Sequence, residues 1–464
     1  MKITKIFKIK KTTLIVLLFF ILSVSFLLFF YFKSFFISKK IVFEDESRFY
    51  FDLPSILEEE KRPSFINFFE EVKQDFISNK KDFLEANLAE MKMRVYRQGS
   101  IGEEVPILTK GDTESWGGSP VGIYEVLSGG IKSFSVAAKV YMPYALHYYG
   151  RYYFHGEPEY TWGEKLVSRF SGGCLRLKNE DAKIIFESTE IGMPVLVIDK
   201  ERDNYEYIKE NTYNFPEVSS NSYLIADLDS GYIFAEKDYQ KQFPIASVTK
   251  LMTALVLSEN FDLEKTIMTK DYMLNGYGST KGIEDGKRYR LVELLYPLLI
   301  ESSNDAAEVI SYFLGKDKAL ELMNEKSKSI LMTQTEFTDT SGFDPRNIST
   351  AKDLFYLSRY IFNNRYPLFK VTKGERVATV GQIGFDINNL WNKNVFPADS
   401  SLIGAKTGFI KEAKNTGVFL FRFLTKDNQK RNIAFILLKS SSTKNDIQAM
   451  YRWVQRNYAL TPDY

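Results

Sequence analysis

The sequence predicts two globular domains behind one transmembrane helix, the first mostly β and the second α/β. Three observations carry this. From Thr12 to Phe32 no residue is charged, and Lys2, Lys5, Lys8, Lys10 and Lys11 precede the run. From about Met91 to Ile198 apolar and polar residues alternate between glycine-rich turns, the two-residue period of strands. After residue 221 a strand-turn-strand pattern leads into the apolar stretch Leu251 to Leu257, which has the length and continuity of a buried helix.

The anchor comes first. The uncharged run is long enough to span a bilayer core. Its lysines are heavier on the N-terminal side than after it, where Glu44, Asp45 and Glu46 follow, so the short tail is expected in the cytoplasm and the rest outside. A cleaved signal peptide is the rival; its apolar region is usually shorter and ends in a small-x-small site, whereas this one runs out in Lys33-Ser34-Phe35-Phe36-Ile37. Residues 1–40 are therefore expected to be the tail and a single-pass anchor in the cell membrane. Residues 41–89 follow as a helical stalk, with Ser64 as N-cap and Phe65, Phe68, Phe69, Val72 and Phe76 along one helical face.

In residues 90–200, Met93 and Val95 alternate with Lys92, Arg94 and Arg97, and Val140, Met142, Tyr144 and Leu146 alternate likewise. Tyr152 and Phe154 lead into His155. Asn179 has the chemistry of an N-cap for a helix through Phe186, and Pro194 to Ile198 is an apolar strand. Residues 201–220 are charged and then polar, as in a linker. The second domain, 221–464, opens with strands Tyr223 to Ala226 and Tyr232 to Ala235 around Asp229-Ser230-Gly231.

Composition narrows the chemistry. With 44% hydrophobic and 15% aromatic residues the chain is globular, and a formal charge of +2 argues against a nucleic-acid partner. Cys174 is the one cysteine and His155 one of two histidines. No internal disulfide is possible, the usual zinc sets cannot be assembled, and no phosphate-cradling glycine loop is evident, so no metal or cofactor is expected. A thiol attacks carbonyl carbon as thiolate, and an imidazole in reach can take its proton, so the Cys174/His155 pair suits acyl transfer. Gly172 and Gly173 before it leave backbone N–H groups free to meet an oxyanion. The alternative is a small buried apolar cysteine.

A second nucleophile lies in Ser247-Val248-Thr249-Lys250. Three residues apart on a helix, Ser247 and Lys250 share a face, and a desolvated lysine near other cations can serve as base for the hydroxyl. The helix N-terminus would favour negative charge on the attacked carbonyl. Ser-x-x-Lys also begins at Ser78, Ser349 and Ser441, so the motif alone is weak. Only Ser247 is followed by Ser302-Ser303-Asn304 between apolar helical segments and then by Lys406-Thr407-Gly408 before the alternating run Val418, Leu420, Phe421. That ordered triple belongs to penicillin-binding proteins and serine β-lactamases.

Residues 90–200 resemble the catalytic domain of L,D-transpeptidases, the cysteine enzymes that remodel bacterial peptidoglycan. The resemblance rests on Ser119-Pro120-Val121-Gly122-Ile123-Tyr124, Met142-Pro143-Tyr144, His155-Gly156, and Ser171 to Leu177 followed by Asn179-Glu180-Asp181-Ala182. It implies Cys174 as nucleophile, His155 as base, the Gly156 carbonyl as orienter of the imidazole, and Gly173 and Arg176 beside the substrate. The family usually has Ser-His-Gly-Cys; here Gly172 takes the histidine position, leaving His155 as the base.

Residues 221–464 resemble the D-alanyl-D-alanine carboxypeptidases, the low-molecular-mass penicillin-binding proteins, through the triple and through Ala226 to Gly231, Pro244-Ile245-Ala246, Asn304-Asp305-Ala306-Ala307 and Asp339 to Asp344. The fold class implied is a mostly-β L,D-transpeptidase-type domain followed by an α/β, β-lactamase-like serine domain. Ser247 would be the nucleophile, Lys250 its base and Ser302 a proton relay toward the leaving amine. Asn304 would hold the substrate amide, and Lys406 and Thr407, with Gly408 in the same motif, the terminal carboxylate. The oxyanion would lie between the backbone N–H groups of Ser247 and Phe409. The implied partners are peptidoglycan stem peptides, with β-lactams as inhibitors. Two other readings stay open: a membrane-tethered peptidoglycan-binding module with one or both sites degenerate, and a β-lactamase-like hydrolase. The latter is disfavoured because its deacylating glutamate should follow the second motif, and the nearest string, Asp271 to Asn275, precedes Ser302 and carries aspartate.

Overall fold

The structure, a computed structural model, describes residues 68–199, 203, 205–274, 283–378 and 383–463. The expected anchor Thr12 to Phe32, together with Ser64, Phe65, Glu201, Arg202, Asn204 and Asn275, lies outside the described residues. Among the described residues no helix is long and apolar enough to cross a membrane.

Helix α1 (Phe68–Ser78) buries Val72 and Phe76, and the Phe76 ring meets that of Phe83 edge-on at 5.2 Å. Two sheets follow. The first takes β1 (Phe83–Asn87), β2 (Lys92–Arg97), β3 (Ser100–Pro106) and β4 (Gly122–Glu125). The second takes β5 (Ser128–Ser135), β6 (Val140–Tyr149), β7 (Tyr152–His155), the short β8 (Glu159–Tyr160) and β9 (Leu175–Arg176). Helix α2 (Asn179–Glu187) then returns the chain to the first sheet as β10 (Pro194–Ile198), giving the order β3-β2-β1-β10-β4 with β1 and β10 parallel. The second sheet runs β5-β6-β7-β9, and β7 and β9 are parallel. That pairing brings the end of the His155 strand beside the residues just after Cys174, with Phe154 opposite Leu175 and His155 opposite Arg176.

Three local readings change. Of the stretch 41–89, expected as a helical stalk, the described residues are helical only over α1 and end in β1, a strand of the first sheet paired with β2 and β10. The alternation through β6 breaks at Tyr144, which takes φ +47°, so burial passes to Ala145 and Leu146 in succession. Asn179 is not the cap of α2. Lys178 occupies that place without a side-chain bond, while Asn179 Oδ1 accepts from the Glu157 backbone N–H at 2.8 Å and so ties down the chain beyond His155.

The second domain is an antiparallel sheet covered on both faces. Strands β11 (Ser222–Asp227) and β12 (Ile233–Lys237) are followed by two short ladders, β13 (Phe243–Pro244) with β16 (Ile348–Ser349) and β14 (Thr266–Met268) with β15 (Arg288–Arg290). The long strands β17 (Leu402–Ile410), β18 (Lys414–Leu424) and β19 (Lys430–Ser440) complete the order β12-β11-β19-β18-β17. Between lie helices α3 (Lys250–Asn260), α4 (Leu291–Leu299), α5 (Asn304–Leu314), α6 (Lys316–Ser329), α7 (Ala351–Asn364) and α8 (Pro367–Lys373). The last helix, α9 (Thr443–Tyr458), packs Ile447, Met450 and Val454 on Phe419, Phe421 and Phe435. Helix α7 covers β11 and β19. With both faces covered, the central strands are apolar almost throughout rather than alternating.

The 201–220 stretch is bound to this domain where it is described. Tyr207 enters the core beneath α9, Phe215 stacks on Tyr223 at 5.0 Å, and the Trp453 indole N–H donates to the Tyr213 carbonyl at 2.9 Å. Its aromatic residues, spaced among charges, give no periodic signal.

Candidate active sites

The serine site is assembled where α3 begins. A 3-10 turn, Ala246–Thr249, opens directly into α3, every residue of which from Lys250 to Glu259 is buried. Ser247 sits half-exposed on the turn, and Ala246 before it takes φ +48°. Strand β17 passes so close that a Cβ on Gly408 would fall 2.6 Å from the Ser247 nitrogen. Only glycine fits there, and Phe409 after it is exposed at the mouth.

Lys250 Nζ is the hub. It lies 2.9 Å from Ser247 Oγ, 2.7 Å from Asn304 Oδ1 and 2.5 Å from the Ser341 carbonyl. Burial drives its pKa down to about 7, with Asp339 opposing the shift and Lys393 adding to it. An amine that is half neutral at that pH can receive the serine proton; the contact then runs in reverse, with the hydroxyl donating to nitrogen.

Lys406, fully buried on β17, donates to Ser302 Oγ at 2.9 Å and to the Thr407 carbonyl at 2.8 Å. Burial first, then Lys250 and Lys393, hold its pKa well below the ordinary lysine value. Converging cations that repel one another in a dry site are relieved by an incoming carboxylate. Ser302 takes φ +60°, a conformation costing an L-residue about 1–3 kcal/mol and characteristic of functional sites. Ser303 caps α5, its hydroxyl accepting from the Ala306 N–H at 3.1 Å. The six sequence-selected residues Ser247, Lys250, Ser302, Asn304, Lys406 and Gly408 thus meet, with Thr407 beside them. Sequence reasoning missed the Ser341 carbonyl and Lys393. Asp271, by contrast, is exposed on a separate 3-10 turn.

The cysteine site is less complete. His155 is buried at 3% exposure, and its Nδ1 lies 2.6 Å from the Gly156 carbonyl. A carbonyl can only accept, so Nδ1 carries the proton and Nε2 is left with the lone pair. Gly156 is required by close approach, since a Cβ there would fall 2.4 Å from Asn179 Oδ1. Cys174 is half-buried, with Sγ 3.9 Å from the Arg151 carbonyl. Among the described residues no hydrogen bond joins Sγ to the imidazole. Burial raises the Cys174 pKa, against the Tyr153 N–H, Arg151 and Arg176, and burial lowers that of His155 to about 4. Both groups therefore rest neutral at pH 7. Arg176 is buried, with Nη1 donating to Ser168 Oγ at 2.9 Å and Nε without a hydrogen-bond partner among the described residues. The second histidine, His147, bonds the Gly150 carbonyl at 2.8 Å and stacks on Tyr153.

The loop before the thiol is shaped by two glycines of different kinds. Gly173 has φ +112°, and a Cβ there would fall 2.2 Å from Tyr152 Cε1; Gly172 is exposed and a Cβ would meet nothing within 4 Å. Gly173→Ala is expected to destabilise the protein by about 1–3 kcal/mol and Gly172→Ala by less than about 0.5 kcal/mol. Denaturant melts of the two variants check this.

A serine and a buried lysine at the head of a helix, with a second lysine on the facing strand, mark the second domain as penicillin-binding-protein-like in fold and site. Residues 209–440 match the D-alanyl-D-alanine carboxypeptidases and residues 81–197 the L,D-transpeptidase catalytic domain; the chain belongs to the D-alanyl-D-alanine carboxypeptidase family and carries the domain of the L,D-transpeptidase type ahead of it. D-alanyl-D-alanine carboxypeptidase DacB2 of Mycobacterium tuberculosis is 30% identical over 207 residues, 44% of this chain and 70% of that protein. D-alanyl-D-alanine carboxypeptidase DacD of Escherichia coli is 28% identical over 52% of this chain and 65% of its own length. D-alanyl-D-alanine endopeptidase of Escherichia coli is 32% identical over 34% of this chain and 51% of its own.

Proposed function

We propose that this protein remodels bacterial peptidoglycan through two acyl-transfer sites acting in sequence on one stem peptide. Ser247 attacks the carbonyl of the penultimate D-alanine and its proton passes to Lys250. The bond to the terminal D-alanine breaks, that amine takes a proton by way of Ser302, and water hydrolyses the ester. Cys174 then attacks the carbonyl of the third residue of the tetrapeptide and releases the fourth as free D-alanine. The thioester passes its acyl group to a side-chain amine of a neighbouring stem, forming a 3-3 crosslink. Asn304 holds the substrate amide, and Lys406 and Thr407 the carboxylate. Residues 12–32 anchor the chain in the cell membrane with both sites outside, a reading supported by the lysine-flanked apolar run.

The observation that carries the serine half is Lys250 Nζ at 2.9 Å from Ser247 Oγ with its pKa near 7. The cysteine half rests on the domain match and on the imidazole tautomer set by Gly156. The missing Sγ–imidazole bond favours a second reading of that domain alone, as a module that binds peptidoglycan. Carbapenem treatment followed by intact-protein mass measurement separates the two: an adduct lost in Cys174→Ala supports catalysis, and no adduct on the native protein supports the module. The endopeptidase relative supports a second serine substrate, the crosslinked dimer. Incubation with pentapeptide and dimer muropeptides distinguishes them, with loss of one D-alanine expected from the former.

A further inference from the structure

Away from both nucleophiles, three charged side chains meet with no exposure at all: Glu259, Lys326 and Arg365. Glu259 lies in the last turn of α3. Its Oε1 is 3.2 Å from Arg365 Nη2 and its Oε2 is 2.9 Å from Lys326 Nζ, and the Tyr360 hydroxyl donates to it. The cluster belongs to the serine domain, yet both cations reach into the cysteine domain. Lys326 Nζ donates to Tyr124 Oη at 3.0 Å; Arg365 donates to the Gly118 carbonyl at 2.6 Å and to Tyr152 Oη at 2.7 Å. Burial works against the charge on Glu259, but Lys326 and Arg365 together hold it below the usual carboxylate range.

What Arg365 touches is the frame of the thiol. Tyr152 starts the strand that ends at His155, and its ring lies against Gly173, the residue before Cys174. The Gly118 carbonyl borders the same spot, 3.0 Å from where a Gly173 Cβ would be. Gly118 must itself be glycine, since a Cβ would fall 2.3 Å from the Asn364 carbonyl. An apolar seam tolerates sliding, whereas a buried ionic network is satisfied in one register only. Glu259 stands nine residues after Lys250 on one helix, about 13 Å along its axis, so a single rigid element carries the serine base at one end and the clamp on Arg365 at the other.

We propose that the serine domain completes the cysteine site: Arg365, clamped by Glu259, is a positioning residue that sets Tyr152 and Gly118 and, through them, the loop presenting Cys174. This rests on Cys174 being the working thiol of the reading above, and the test is chosen to separate the two.

Cys174 is the one cysteine, so iodoacetamide uptake by the full chain reports it alone. In Arg365→Met the loosened loop admits water to a thiol whose pKa burial now raises. Alkylation at pH 7.5 is expected to rise roughly threefold or more, with its pH midpoint lowered toward an ordinary thiol. Arg365→Lys should recover part of the native profile, and Tyr152→Phe, which removes one oxygen, should shift it the same way by less. Penicillin acylation at Ser247, measured on the same samples, should stay within about twofold, showing that the serine domain is folded. An unchanged alkylation rate and midpoint in Arg365→Met that still takes penicillin overturns the proposal; if that variant does not fold, an unchanged Tyr152→Phe overturns it. Should the native protein take no carbapenem while its alkylation still depends on Arg365, the transpeptidase reading fails and the positioning role stands.

Discussion

Lys250→Ala is expected to slow acylation of Ser247 by penicillin by about 10²–10⁴-fold, the usual worth of a positioned general base. In the native protein the same rate should rise with pH through a midpoint near 7. The sign follows from the role: below the Lys250 pKa of about 7 the amine is protonated and cannot accept the serine proton, and above it the base is free. Stopped-flow acylation between pH 5 and 9 checks this, on native protein and on the variant. A pH-independent rate with Lys250 in place would mean that another group takes the proton. Lys393, which adds to the depression, supplies a second reading of the same experiment. Removing its charge as Lys393→Met should move the midpoint upward.

The other large effect separates the two nucleophiles by substrate. With pentapeptide muropeptide, Ser247→Ala should lose D-alanine release by about 10⁴-fold or more and also lose crosslinked dimers. Dimers should return when tetrapeptide is supplied, because the proposed cysteine step needs only the trimmed stem. Cys174→Ala should trim at the native rate and form no dimers. Mixing the two full-length variants then measures the benefit of one chain. If tethering raises the local concentration of trimmed stems, the mixture crosslinks pentapeptide more slowly than the native protein at equal site concentration. Equal rates would remove coupling while leaving both activities. Product masses over time give all of these from one assay.

The amino-acid sequence alone determined which groups could do chemistry and roughly what surrounds them. The spacing of Ser247, Lys250, Ser302, Asn304 and Lys406 is legible because each lies at the start of a helix, on the loop before one or on a long strand, where the local pattern sets the backbone. The strands ahead of His155 are legible as strands from two-residue periodicity, although in β6 the alternation holds only as far as Tyr144. Local pattern failed where a residue serves a distant one. Asn179 has the chemistry of a cap but bonds the backbone of Glu157, and Tyr207 lies in a polar stretch but fills a core beneath α9.

Only the tertiary structure decided where side chains point. It turned the imidazole of His155 to Gly156 without a bond to the sulfur, and placed the Ser341 carbonyl on Lys250. It also buried Glu259, at the end of α3, between Lys326 and Arg365 at the seam of the two domains. The reason is physical: periodicity records which face of an element is buried, whereas the partner a buried charge needs is supplied by whatever chain folds against it, and that is written in no single stretch of sequence.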